Sequence, residues 1–428
     1  MASPVPAAQG RAAFTHADFV YYEVARFFIV VALEMQSVAV GWQIFSITHR
    51  ALDLGLVGLA QFLPGFFLFL ASGAAADRFD RRKLLSICYA GFSLCSLLLM
   101  LLALRQTHTV GPIYGVLVLL GAVRSLSGPV SRALLPHTVP LEHFTNAVAW
   151  HSTIYQGATI LGPAVGGVMY AAFRSADVVY AAALTAGLLA LTLTLRLKFR
   201  ESKREKEAAT LRSTLAGFRY VWKQKLLLAL ISLDMFAVLL GGAVALLPVY
   251  ASDILKTGAW GLGILRSAPG VGAALMAVYV AHRPIRGRAG ITMMWAVAGF
   301  GVFTILFGIS HNLILSLAFL VLIGASDMIS VIIRGTLIQL ATPDEMRGRV
   351  NAVDMLFIGV SNELGQFESG LTAHWFGTVP SVVLGGIGTL VVIGLWAWIF
   401  PSLRKADRLH AVAASSMDHA LDPGALGT

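Results

Sequence analysis

The chain has 428 residues, of which 57% are hydrophobic and 13% charged, and a formal net charge of +10. Soluble domains carry about 25% charged residues, so a water-soluble fold is excluded and the length counts membrane spans. The basic excess lies in short segments between apolar runs, where it directs insertion and does not read as a nucleic-acid surface.

Residues 1–18 are polar and rich in small side chains, with one arginine, Arg11. They lack the basic start, short apolar core and cleavage site of a cleaved signal peptide. A helix needs about 20 apolar residues to cross a bilayer. Runs of that kind cover residues 19–46, 54–76, 84–104, 112–135, 146–173, 176–196, 226–250, 259–281, 291–310, 313–340, 351–375 and 380–400. Cys88 and Cys95 both fall in the third run. Seven residues apart on one helix they are about 10 Å apart, too far for a bridge, and read as packing residues.

The stretch from Arg196 to Lys225 contains RLKFRESKREKEAA and cannot cross a membrane. It divides the chain into a segment 1–18, a six-helix bundle 19–196, a basic linker 197–225, a second six-helix bundle 226–400 and a tail 401–428. The two bundles repeat one another. Arg132, Pro140-Leu-Glu142, Asn146-Ala-Val148 and Gly162 in the first recur in order as Arg334, Pro343-Asp-Glu345, Asn351-Ala-Val353 and Gly365 in the second. Internal repeats of this kind, with a site at mid-membrane, characterise secondary transporters. The fold class expected is an all-α membrane protein of twelve transmembrane helices in two pseudo-symmetric bundles. Arg11, Arg78, Arg81, Arg82, Lys83, the linker, Arg283, Arg286, Arg288, Arg347, Arg349, Arg404, Lys405 and Arg408 fall on one side; Arg50, Arg105, Arg174 and Lys256 fall on the other. That asymmetry predicts two cytoplasmic termini.

Between the second and third runs stand Gly73, Asp77, Arg78, Asp80, Arg81, Arg82 and Lys83. An acid in a basic loop contributes nothing to topology, so Asp77 with Arg78 reads as a cytoplasmic gate latch, pairing with an arginine or a helix N-terminus. Arg81, Arg82 and Lys83 read first as positive-inside charges and only second as part of the gate. This segment resembles the signature of the major facilitator superfamily, matched at Gly73, Asp77, Arg78, Arg81 and Arg82. Asp80 stands where that signature has a second glycine. In the fifth run Gly162-Pro163-Ala164-Val165-Gly166-Gly167 is similar to the core of the superfamily's antiporter signature, with Ala158 in place of another glycine. Arg124 and Gly128 in the fourth run are similar to an arginine–glycine pair of proton-coupled exporters. The resemblance covers about residues 15 to 400 and is strongest to the branch of enterobactin-type siderophore exporters and macrolide efflux proteins. It implies export; composition and periodicity do not.

On residue chemistry alone, Gly162, Pro163, Gly166 and Gly167 bend the fifth helix and let a neighbour approach closely, which ordinary packing also uses. Ionisable residues inside spans are functional candidates by default, because a charge in hydrocarbon needs water or a partner. These are Glu34, Arg124, Asp234, Asp327, Arg334 and Glu363. Glu34, in the middle of the first run with Gln36 and Gln43 nearby, is expected to carry a proton, the alternative being a structural pair with Arg124. Asp234 is open between proton coupling and structural pairing. Asp327 and Arg334 share one helix face but are too far apart to touch, which points to Glu363 or Glu368 as partners. The loop Asp344-Glu345-Met346-Arg347-Gly348-Arg349 reads as helix start and positive side, with a gate ion pair as the sharper alternative.

Phosphate-loop, dinucleotide and nucleophile-elbow motifs are absent, and His137, Glu142 and His143 lack zinc spacing. No cofactor, metal, nucleic acid or enzymatic activity is expected. The reading is a monomeric, multi-pass transporter of the cell (inner) membrane that exports a small molecule of drug or siderophore class by alternating access and proton antiport. Its partners are that substrate, protons and the lipid bilayer. Uptake by proton symport and a membrane-embedded lipid-handling enzyme are the alternatives.

Overall fold

A computed structural model describes residues 9–106, 109–198, 211–283, 285 and 287–404 of the chain, with the side chains of 69–78 and 211–214 left out. The sequence segments 1–8, 199–210 and 405–428, Arg286 and the side chains of Asp77 and Arg78 lie outside the described residues.

Twelve helical spans follow one another, and no strand occurs among the described residues. The first six are Ala17–Thr48, Ala51–Arg78, Arg81–Leu104, Gly111–Leu134, Phe144–Phe173 and Ala176–Leu195. The second six are Lys225–Leu240 with its irregular continuation to Ile254, Gly258–His282, Ala289–Gly308, Leu313–Ala341, Asp344–Phe376 and Thr378–Ile399. Most bounds lie within a few residues of the apolar runs. The eleventh helix begins seven residues earlier than its run, because Pro343 ends the preceding turn and Asp344 and Glu345 supply an acidic first turn.

Ten of the helices are apolar enough to cross a membrane by composition alone. The fifth and eleventh are not among them. They occupy the same place in the two sequence halves, so the polarity is a property of the repeat rather than an accident of one helix. A polar span is tolerated where it is buried in protein or lines a cavity.

The described fold consists of two compact units. One comprises 1–49, 60–210 and 250–267; the other comprises 50–59, 211–249 and 268–428. Each sequence half thus lends the head of one helix to the other unit: 50–59 from the second helix and 250–267 leading into the eighth. These are again repeat mates.

Glycines set the closest approaches inside each unit. In the first, a Cβ on Gly162 would lie 2.5 Å from Glu34 Cβ and 3.1 Å from the Val31 carbonyl oxygen, so the fifth helix rides directly on the first. In the second, a Cβ on Gly365 would lie 3.0 Å from the Leu239 carbonyl oxygen, so the eleventh rides on the seventh. Gly167 meets the eighth helix, its Cβ position 2.6 Å from Gly263 Cα, and Gly370 meets the second, 2.6 Å from Gly55 Cα. Gly162 and Gly365 are 203 residues apart, as are Gly167 and Gly370. The Asn146/Asn351 match falls two residues out of this register. Asn146 instead ties down the chain start, accepting from the Ala13 N–H and donating to the Gly10 carbonyl at 3.0 Å each, while Asn351 is exposed.

The linker holds one helix that its charge did not announce. Leu211–Lys223 lies against the eleventh helix, with Gly217 against the Arg349 backbone and the Phe218 and Phe357 rings 5.8 Å apart.

Candidate functional site

The second unit contains a cavity of about 270 Å³. One wall is the place where the seventh helix stops. Its regular turns end at Leu240, and Gly241 and Gly242 follow, because Phe300 and the Ala237 carbonyl leave no room for a side chain at 241. The chain continues as short irregular turns, and 241–244 line the cavity. Non-helical backbone at membrane depth is stable only where it is buried or faces a cavity. The Gly242 carbonyl accepts from Ser369 Oγ at 2.9 Å, which fixes the break to the eleventh helix.

Beside the break is a charged network. Arg334 on the tenth helix is 4% exposed and Asp234 on the seventh 6%. The guanidinium lies 3.3 Å from Asp234 Oδ2 and donates a short hydrogen bond to Asp354 Oδ1 on the eleventh helix. Its Nε has no hydrogen-bond partner. Ser330 Oγ approaches Asp234 at 3.5 Å. Asp327 lines the same cavity, and among the described residues its carboxylate makes no hydrogen bond or ion pair. Two carboxylates therefore share one arginine, and a third lines the same cavity.

The expected partners of Arg334, Glu363 or Glu368, are replaced by Asp234 and Asp354. The tenth and eleventh helices are antiparallel across the turn at Thr342 and Pro343. Arg334 lies seven residues before Ala341, Asp354 ten after Asp344 and Glu363 nineteen after it. At 1.5 Å per residue Asp354 is displaced about 5 Å along the axis and Glu363 about 18 Å. Glu363 instead accepts from Gln366 Nε2 at 3.3 Å. Arg347 pairs with Asp344 at 2.6 Å within one exposed helical turn, so the ion pair of this loop is local and not a gate.

In the first unit Glu34 is half-buried against Gly162, and among the described residues its carboxylate has no hydrogen-bond partner. Gln36 and Gln43 do not join it. Gln36 accepts from Ser96 Oγ on the third helix at 2.6 Å, and Gln43 accepts from Tyr180 on the sixth at 2.7 Å. At about 100° per residue, both point roughly opposite to position 34. Arg124 is exposed. Of the gate residues, Arg81 contacts His137 Nε2 at 2.7 Å and Arg82 donates to the Leu195 carbonyl. Asp80 accepts from the Lys83 N–H at 3.0 Å and caps the third helix, which accounts for an acid at that position. The fifth helix runs through Pro163 without a break. Cys88 and Cys95 are buried and free.

Sequence reasoning passed over four charged groups. Asp354 is one. Arg266, midway along the eighth helix, donates to Ser37 Oγ at 2.7 Å. Glu23 and His151 are the others: Glu23 is 1% exposed, and its Oε1 lies 2.6 Å from His151 Nδ1. The signal was present, since each is an ionisable residue inside a helical span.

A chain of twelve membrane helices in two repeat-related units, with charges held around a cavity at a helix break, is a membrane transporter rather than an enzyme. Residues 9–423 match the family model described as transmembrane secretion effector, and the chain belongs to that family, within the major facilitator superfamily. The enterobactin exporter EntS of Shigella boydii serotype 4 is 27% identical over 394 residues, 91% of this chain and 94% of that protein. EntS of Escherichia coli O139:H28 is 26% identical over the same shares. Among solved structures, a nucleoside transporter NupG superposes with a TM-score of 0.70 at 12% identity, covering 90% of this chain and 100% of that one. The xylose transporter XylE of E. coli, in an inward open conformation, gives 0.67 at 12% identity over 92% and 99%.

Proposed function

We propose that this transporter exports a small amphiphilic molecule of siderophore or drug class across the cell (inner) membrane in exchange for protons, as a monomer with both termini in the cytoplasm. The observation that carries the direction is the similarity to enterobactin exporters over nearly the whole length of both chains. The proton coupling is supported by Asp327, a carboxylate facing the cavity beside an arginine already engaged by two others. Such a group is stable in a low-dielectric wall when it takes up a proton or meets a cationic partner. Glu34 is the corresponding acid of the first unit, and Asp234, Arg334 and Asp354 hold the helices around the cavity together.

The test uses inverted membrane vesicles, in which export appears as uptake. With enterobactin as the probe, acidifying the lumen should drive accumulation, and a protonophore should abolish it. Accumulation that ignores the protonophore would remove proton exchange from the reading, and vesicles that concentrate neither enterobactin nor lipophilic drugs would remove export.

A further inference from the structure

The Glu23–His151 contact lies in the first unit, away from the cavity of the second. Glu23 Oε1 is 2.6 Å from His151 Nδ1, and Arg26 Nη1 is 3.1 Å from the same nitrogen. A ring nitrogen is either a donor or an acceptor, never both at once. An ionised carboxylate only accepts, so the contact at 2.6 Å is a hydrogen bond when Nδ1 carries the proton. Arg26 is satisfied separately, because Nη1 also donates to the His151 carbonyl at 2.9 Å and the guanidinium covers the Tyr155 ring at 4.9 Å. The ring is held flat against Tyr22, with centroids 5.9 Å apart and planes 5° from parallel; Tyr22 itself is pinned by Ser131 at 2.7 Å. Position and orientation of the imidazole are thereby fixed. Its other nitrogen, Nε2, has no partner among the described residues.

We infer that His151 is a proton-carrying site of the transport cycle: Nε2 takes up one proton, converting the neutral ring to imidazolium while Glu23 stays bound to Nδ1–H, and later releases it. Nothing else is formed or broken. Glu23, Arg26 and Tyr22 on the first helix contact the ring, while Tyr89 on the third helix and Arg132 on the fourth interact with Tyr22 and Arg26, and Tyr155 on the fifth lies under Arg26. Glu23 and Arg26 thus meet the same ring nitrogen with opposite charges. A carboxylate that orients a histidine through one nitrogen while the other does the chemistry is a general way to use this side chain. The inference rests on the proton-exchange reading, but the site is testable apart from it.

The chain has eleven histidines, so side-chain nitrogen NMR of histidine-labelled protein in nanodiscs, compared with the His151→Gln variant, isolates the His151 signals. In the wild-type protein they should report a ring that gains and loses a proton across the pH window in which the protein transports. In Glu23→Gln the midpoint should move. A ring that stays in one state across that window overturns the assignment, as does a midpoint unmoved by Glu23→Gln in a variant that keeps the wild-type thermal stability. In vesicles, His151→Gln should flatten the pH profile of enterobactin transport and reduce proton-driven accumulation at least tenfold. A titrating His151 in a protein whose transport ignores protons would refute antiport and, with it, the role of His151 in the transport cycle; proton-driven transport with a silent His151 would refute the His151 site alone.

Discussion

His151 and Asp354 are 203 residues apart, the same offset that relates Gly162 to Gly365 and Gly167 to Gly370. They occupy one position in the two repeats, yet the first unit puts an imidazole there and the second a carboxylate. In the first unit the residue meets an acid on the first helix, Glu23, with Arg26 beside it. In the second it meets Arg334, which also holds Asp234 of the seventh helix. The second unit has three carboxylates around one arginine, and the first has one carboxylate with Arg26, Arg132 and a histidine. The glycine scaffold was kept after duplication while the charges diverged. One unit carries a locked ion network at a cavity, and the other a single carboxylate–imidazole contact.

The largest consequence falls on the locked network. Arg334→Ala leaves Asp234 and Asp354 buried without a counter-charge, and breaking a buried ion pair costs about 3–5 kcal/mol. The variant should lose most of its folded yield, read as thermal unfolding in detergent. Arg26→Ala, in the looser cluster, should cost clearly less because Glu23 keeps its hydrogen bond to His151. Equal losses would erase the distinction between the units.

The glycine scaffold should instead respond alike in both units. Gly167→Val and Gly370→Val each place side-chain atoms where backbone now lies within 3 Å. Overpacking of this kind costs about 1–3 kcal/mol, and the two variants should lose stability and transport in parallel. If one is tolerated, the offset of 203 is not a structural equivalence.

The smallest expected effect concerns the third and ninth helices, which are also repeat mates. Asp80 caps the third, whereas Arg288, ahead of the ninth, sits at φ 48° and offers no cap. Asp80→Ala should cost about 1 kcal/mol, and Arg288→Ala should stay within about 0.5 kcal/mol. Equal effects would mean that Asp80 acts through its charge rather than its hydrogen bond.

The spans were legible because a bilayer imposes length and hydropathy on each one separately. The fifth and eleventh were legible as the runs 146–173 and 351–375, although both fall short of the apolarity that the other ten reach. The charge pairing was not legible in the same way. The choice of Asp354 over Glu363 depends on where the hairpin turns, and the meeting of Glu23 and His151 depends on how the first helix packs against the fifth. Spacing along a single helix contains neither. Gln36 and Gln43 are near Glu34 in sequence, but helical geometry places them opposite it, so their separation from it was readable. The break at Gly241 and Gly242 was visible as a glycine pair, but only Phe300, from another helix, makes it obligatory.

The central claim is that protons move against substrate through carboxylates left over from the locked network, Asp327 first. The most direct test is a pH-sensitive dye sealed inside proteoliposomes of purified protein, with an imposed enterobactin gradient. The wild-type protein should change the luminal pH in the direction opposite to substrate flow, and Asp327→Asn should carry enterobactin down its gradient with no pH change. Identical pH traces from the two proteins, or substrate flow with none in the wild type, would contradict the account.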